Sequence, residues 1–167
     1  LGLDTHDRVI HEVIQRMSTM PESTDIFVDY LSLFVDNEFI QSRTLDFLES
    51  PENIYAWQEM LLLELLVRLN LSPDFCLRAN QYANSVIIGN KHPACKARAY
   101  LLLGKNGTYA ERRDIRSHYN QEIDESVKKS IIVAMQEMRA DERNNFYKGV
   151  SGESRNLSQI IDYVQGL

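Results

Sequence analysis

Apolar side chains recur along this chain at spacings of three and four and almost nowhere in strict alternation, which predicts helices throughout. Val9, Ile10, Val13, Ile14 and Met17 share one face of a first helix that opens near Asp4 and closes at Met20-Pro21. A second helix is expected from about Glu22 to Val35 and a third from about Asn37 to Leu48, unless the two form one kinked helix. Ser50-Pro51-Glu52 and Ser72-Pro73-Asp74 each combine a serine that accepts from free N–H groups, a first-turn proline and an acid favoured by the helix dipole. They predict the starts of two long helices. The first, Ile54 to Leu69, is apolar almost all round and is expected to be the most buried element, with Trp57, Leu61 and Leu65 facing inward. The second keeps a stripe at Phe75, Ala79, Tyr82 and Val86, with Gly89 placed to cap its end.

Further along, Pro93 begins a helix that Gly104 and Gly107 end, and Thr108-Tyr109-Ala110-Glu111 has the reciprocal capping pattern of another. Val127, Ile131, Ala134, Met135 and Met138 form one stripe, Ala140 to Tyr147 a shorter helix, and Ser154 to Val164 a last amphipathic one. About ten helices result, and part of the pattern repeats with a period near 32. Cys95 aligns with Val127, Lys96 with Lys128, Ala99 with Ile131 and Leu103 with Met135. In the helices that follow, Ala110, Glu111 and Arg113 align with Ala140, Asp141 and Arg143. A hairpin of this kind cannot bury its own apolar face, so the expected fold is all-α, a stack of helical hairpins that displays a surface.

The segments Lys96-Ala97-Arg98-Ala99-Tyr100-Leu101-Leu102-Leu103-Gly104-Lys105 and Val127-Lys128-Lys129-Ser130-Ile131-Ile132-Val133-Ala134-Met135 resemble the first helices of HEAT-type repeats, a likeness that implies a HEAT-like superhelix with hairpins over about residues 51–148. With Glu142-Arg143-Asn144-Asn145-Phe146-Tyr147 closing a unit, the second half also resembles the C-terminal helical region that follows the polymerase core in bacterial, abortive-infection type, defence-associated reverse transcriptases. That resemblance implies a non-catalytic binding or scaffolding module of a phage-defence RNA-directed DNA polymerase, with the polymerase core and RNA or single-stranded DNA as partners. The aromatic-x-Asp-Asp turn of such a polymerase is missing. Phe27-Val28-Asp29-Tyr30 and Phe34-Val35-Asp36-Asn37 each offer one acid where two-metal phosphoryl transfer uses paired carboxylates.

Composition narrows the picture. The 167 residues fit a single domain, and an N-terminal Leu1 in place of Met suggests a piece of a larger protein. The longest apolar run, Met60-Leu61-Leu62-Leu63, falls far short of the roughly 20 residues that cross a bilayer, so no membrane partner is expected. Cys76 and Cys95 lack metal-site spacing and read as free thiols in a reducing, cytoplasmic setting. The net charge of −6 hides an asymmetry: residues 1–90 carry 5 basic and 14 acidic side chains, and residues 91–167 carry 13 and 10.

Candidate chemistry lies in the basic half. Lys96, Lys105, Arg112, Arg113 and Arg116 are the candidate nucleic-acid contacts, against the plainer alternative of a solvated face. Arg113-Asp114-Ile115-Arg116-Ser117-His118 is similar to the Arg-x4-His motif of HEPN-type ribonucleases, in which an imidazole moves a proton and a guanidinium steadies phosphate charge. With 12 arginines and 4 histidines in the chain, about one such spacing arises by chance. Arg113 and His118 also lie about 140° apart around a helix, so a second protomer would have to complete the site. A protein-interaction scaffold unrelated to polymerases is the third class. His6 and His11 are likewise about 140° apart, and no metal, cofactor or catalytic residue is expected of this chain.

Overall fold

The computed structural model describes residues 5–50, 54–89 and 91–166. The protein is all-helical, with ten α-helices, three single 3-10 turns and no strand among the described residues. Contacts cluster into two compact units, Leu1–Tyr82 and Ala83–Leu167. Residues 83–90 carry no charged side chain, so the charge asymmetry coincides with this division: −9 on the first unit and +3 on the second.

The first unit begins with α1 (Thr5–Thr19), which buries Ile10, Ile14 and Met17. Val9, expected on the same face, is 45% exposed, and Val13 is half-buried. A 3-10 turn at Pro21–Ser23 leads into α2 (Thr24–Leu31), shorter than expected because the chain turns after Leu31. The third helix, α3 (Glu38–Glu49), is separate: the Asn37 side chain caps it by accepting from the Ile40 N–H at 3.0 Å.

The start expected at Pro51 lies outside the described residues, and α4 runs over Ala56–Arg68. It buries Leu62, Leu63, Leu65 and Leu66 completely, but Trp57 does not face inward. Trp57 is 40% exposed and stacks on Tyr55, ring centroids 5.9 Å apart. The reason is helical phase. Trp57 shares its stripe with Leu61, Glu64 and Arg68, and the two charged residues take that stripe to solvent. Leu61 is accordingly only half-buried. Gln58 and Glu59 take the inward places instead, each with a partner. The Gln58 amide donates to the Met17 carbonyl at 3.1 Å and the Thr24 hydroxyl at 3.2 Å, and Glu59 accepts from the Tyr82 hydroxyl at 2.5 Å. Without those partners each buried group would cost about 1–3 kcal/mol.

α5 (Pro73–Ile88) starts at its expected proline, with the Ser72 carbonyl accepting from the Phe75 and Cys76 N–H groups. It buries Ala79, Ala83 and Val86. Gly89 follows it and donates its N–H to the Ser85 carbonyl at 2.9 Å, without the left-handed φ of a glycine cap.

The second unit repeats one hairpin. α6 (Pro93–Asn106) and α7 (Tyr109–His118) make the first copy, and α8 (Glu125–Ala134) and α9 (Ala140–Val150) the second. Cys95 and Val127, Ala99 and Ile131, and Leu103 and Met135 are buried as matched pairs. The capping box expected at Thr108 is present, with the Thr108 hydroxyl accepting from the Glu111 N–H and the Glu111 carboxylate from the Thr108 N–H. Gly104 sits inside α6 and does not end it. A Cβ at this position would lie 2.6 Å from both Cα and Cβ of Ala134, so glycine lets the C-terminal parts of α6 and α8 touch backbone to backbone.

The last helix, α10 (Arg155–Gln165), has its N-terminus capped by the Ser154 hydroxyl and buries Leu157 and Ile161 against the unit. If Ser154 is aligned with the α8 cap Asp124, the exposed Asp162 and Gln165 stand where α8 buries Ile132 and Met135.

Candidate functional site

Each hairpin of the second unit is fastened at corresponding places. Near the turn, an arginine of the second helix caps exposed carbonyls at the end of the first. Arg112 donates to Gly104 O at 2.9 Å and Lys105 O at 3.3 Å, and Arg143 donates to Gln136 O at 2.9 Å. The structural counterpart of Arg143 is therefore Arg112, not Arg113, and the alignment of the second helices shifts by one residue. At the open end, a lysine of the first helix pairs with a glutamate of the segment after the second. Lys96 Nζ lies 2.6 Å from Glu122 and Lys128 Nζ 3.3 Å from Glu153.

Around the first of these pairs is a cleft of about 270 Å³, lined by Ile87, Ile88, Lys96, Tyr100, His118 and Glu122. The Tyr100 hydroxyl lies 3.1 Å from His118 Nδ1. Burial, and then the charge of Glu122, push the Tyr100 hydroxyl up to about 12, so it stays protonated at neutral pH. For Glu122, desolvation opposes ionisation, but Lys96 and the backbone N–H groups of Asp124 and Ile123 outweigh it and hold its pKa below the ordinary value. Glu122 is thus a carboxylate with both oxygens engaged: Oε2 on Lys96 and Oε1 on the two N–H groups. The cleft brings together one histidine, one protonated tyrosine and a neutralised ion pair. Its lining contains no guanidinium.

The candidate residues separate accordingly. Lys96, with a side chain only 18% exposed, is committed to Glu122, and Arg112 to the α6 carbonyls. Lys105 is exposed at the end of α6. Arg113 and Arg116 are exposed on α7, whereas His118 is half-buried against Tyr100. The structure does not bring Arg113 and His118 together. Tyr100, Tyr119 and Tyr147 are buried. Tyr119 donates to Glu153 at 3.0 Å and lies beneath Lys128 Nζ, 4.8 Å from the ring centroid, which joins the two hairpins. Burial and that carboxylate push the Tyr119 hydroxyl up.

Arg139, the residue before α9, is a functional candidate that periodicity and charge alone do not single out. It places its guanidinium 5.1 Å from the ring centroid of Tyr109 on α7, and the neighbouring Glu142 carboxylate pushes the Tyr109 hydroxyl up. The lysine–glutamate fasteners have a legible signal, since Lys96 and Lys128 are 32 apart and Glu122 and Glu153 are 31 apart. The cross-hairpin arginine has none, because Arg139 has no counterpart in the first copy.

Among the described residues no three metal-ligating side chains converge, and the side chain of His6 lies outside them. No described helix is long and apolar enough to cross a membrane. No family model, curated protein or solved structure matches the chain.

Proposed function

We propose that this chain is a non-catalytic helical binding module. The observation that carries this reading is the use to which its chemistry-bearing side chains are put: Lys96, Lys128, Arg112, Arg143 and Glu122 fasten hairpins, and His118 rests on Tyr100. What remains for a partner is surface, strongly acidic on one unit and basic on the other. Carrying the resemblance of the second half forward, the module belongs to a defence-associated reverse transcriptase, packs against its polymerase core and meets nucleic acid through the basic unit. The ribonuclease alternative is disfavoured by the half-buried placement of His118, whose Nδ1 is engaged with the Tyr100 hydroxyl.

The reading frame around Leu1 tests the reverse-transcriptase part. A polymerase core with paired carboxylates on the same frame, retaining this chain when the two are co-expressed as separate pieces, is the expected result. A frame with no polymerase, or a core that does not retain the chain, overturns that part.

A further inference from the structure

The exposed side of α7 carries an ordered set of cations. At about 100° per residue, Tyr109, Arg113 and Arg116 fall within about 60° of one another around the helix, while Glu111 and Asp114 point to the other side. Arg113 and Arg116, three apart, are neighbours at about 5–6 Å between their Cβ atoms. The stripe is extended by the next hairpin, whose Arg139 guanidinium sits over the Tyr109 ring. Glu142, whose carboxylate acts on the Tyr109 hydroxyl beneath, is half-buried, with its Oε2 buried. The result is a track of three guanidiniums from two helical hairpins, on the unit whose net charge is +3.

We propose that Arg113, Arg116 and Arg139 form a phosphate-contacting track for single-stranded nucleic acid. The inference rests on the reading of the chain as a binding module, and it replaces the sequence-derived contact set by dropping Lys96, Lys105 and Arg112 and adding Arg139. Guanidiniums suit this ligand because each presents a planar fork to phosphate oxygens, and the arginine over Tyr109 is already oriented by the ring. The track reaches backbone phosphate alone, so the binding has no base preference and weakens steeply with salt.

The test uses the whole chain and a fluorescein-labelled 20-nucleotide oligouridine, followed by anisotropy across a salt series. Arg113→Glu/Arg116→Glu is expected to weaken binding at low salt at least about tenfold, and Arg139→Ala a few-fold. Lys148→Glu/Arg155→Glu, which makes the same charge change away from α7, is expected to stay within about twofold. Arg113→Gln/Arg116→Gln should lower the slope of log K against log salt by about 1.4, at about 0.7 for each single-strand phosphate that is no longer neutralised. Unchanged circular dichroism of every variant shows that the fold is intact and that the weakening belongs to the surface. Absence of binding at low salt, equal weakening by both charge-reversal pairs, or binding of phosphatidylserine vesicles in place of the RNA would each overturn the track. A null result here leaves the hairpin module standing, whereas RNA cleavage by the chain would remove the module reading itself.

Discussion

Replacing Gly104 by alanine sets two opposing effects against each other. In an open helix interior the change gains about 1 kcal/mol of helix propensity. Here the new Cβ would lie 2.6 Å from Cα and Cβ of Ala134, about 1 Å inside ordinary carbon contact. Neither of those atoms can rotate away, so α8 has to shift against α6, an overpacking cost of about 1–3 kcal/mol or more. The expected net effect is a loss of up to about 2 kcal/mol. Gly149 supplies the opposite case: it lies within α9 with nothing within 4 Å of a new Cβ, so Gly149→Ala should gain about 0.5–1 kcal/mol. Urea unfolding followed by far-UV circular dichroism is the assay, because the single tryptophan, Trp57, lies in the other unit. With m near 2 kcal/mol/M, the Gly104 variant should lose up to roughly 1 M in midpoint while Gly149→Ala gains. If both substitutions stabilise alike, α6 and α8 do not make the close approach that defines the second unit.

Trp57→Ala should cost less than about 1 kcal/mol, since the ring lies at the surface on Tyr55, whereas Leu62→Ala should cost about 2–5 kcal/mol; urea unfolding followed by circular dichroism orders the two. The lowered pKa of Glu122 contributes stability that is present above its ordinary value of 4.5 and is lost as pH falls through its folded value. Acid titration of stability should therefore be shallower below about pH 4.5 in Glu122→Gln than in the parent, and an unchanged slope would show that the Lys96 pair is not coupled to folding.

Periodicity makes the helices legible, because buried stripes such as Val127, Ile131, Ala134 and Met135 recur at three and four with no competing signal. It misplaces Trp57 because hydrophobicity is weighed without phase: Glu64 and Arg68 decide which way that stripe faces. It reads Gly104 as a stop because a glycine near a helix end serves equally as a stop or as a contact, and only the proximity of Ala134 distinguishes the two. At the candidate site, charge composition points to the basic unit but does not separate the cations within it. Lys96 and Arg112 are as cationic as Arg113, and their engagement with Glu122 and the Gly104 carbonyl depends on partners 26 and 8 residues away in sequence.

The central claim is that this chain binds nucleic acid and does not cut it. Incubating the chain with end-labelled single-stranded RNA in chelator, then resolving the mixture on native and denaturing gels, tests that claim directly, since an Arg–His acid-base mechanism needs no metal. The expected result is a retarded band on the native gel and full-length RNA on the denaturing one, for the parent and for His118→Ala alike. Fragments that appear with the parent and vanish with His118→Ala, while helical content is unchanged, would contradict the account.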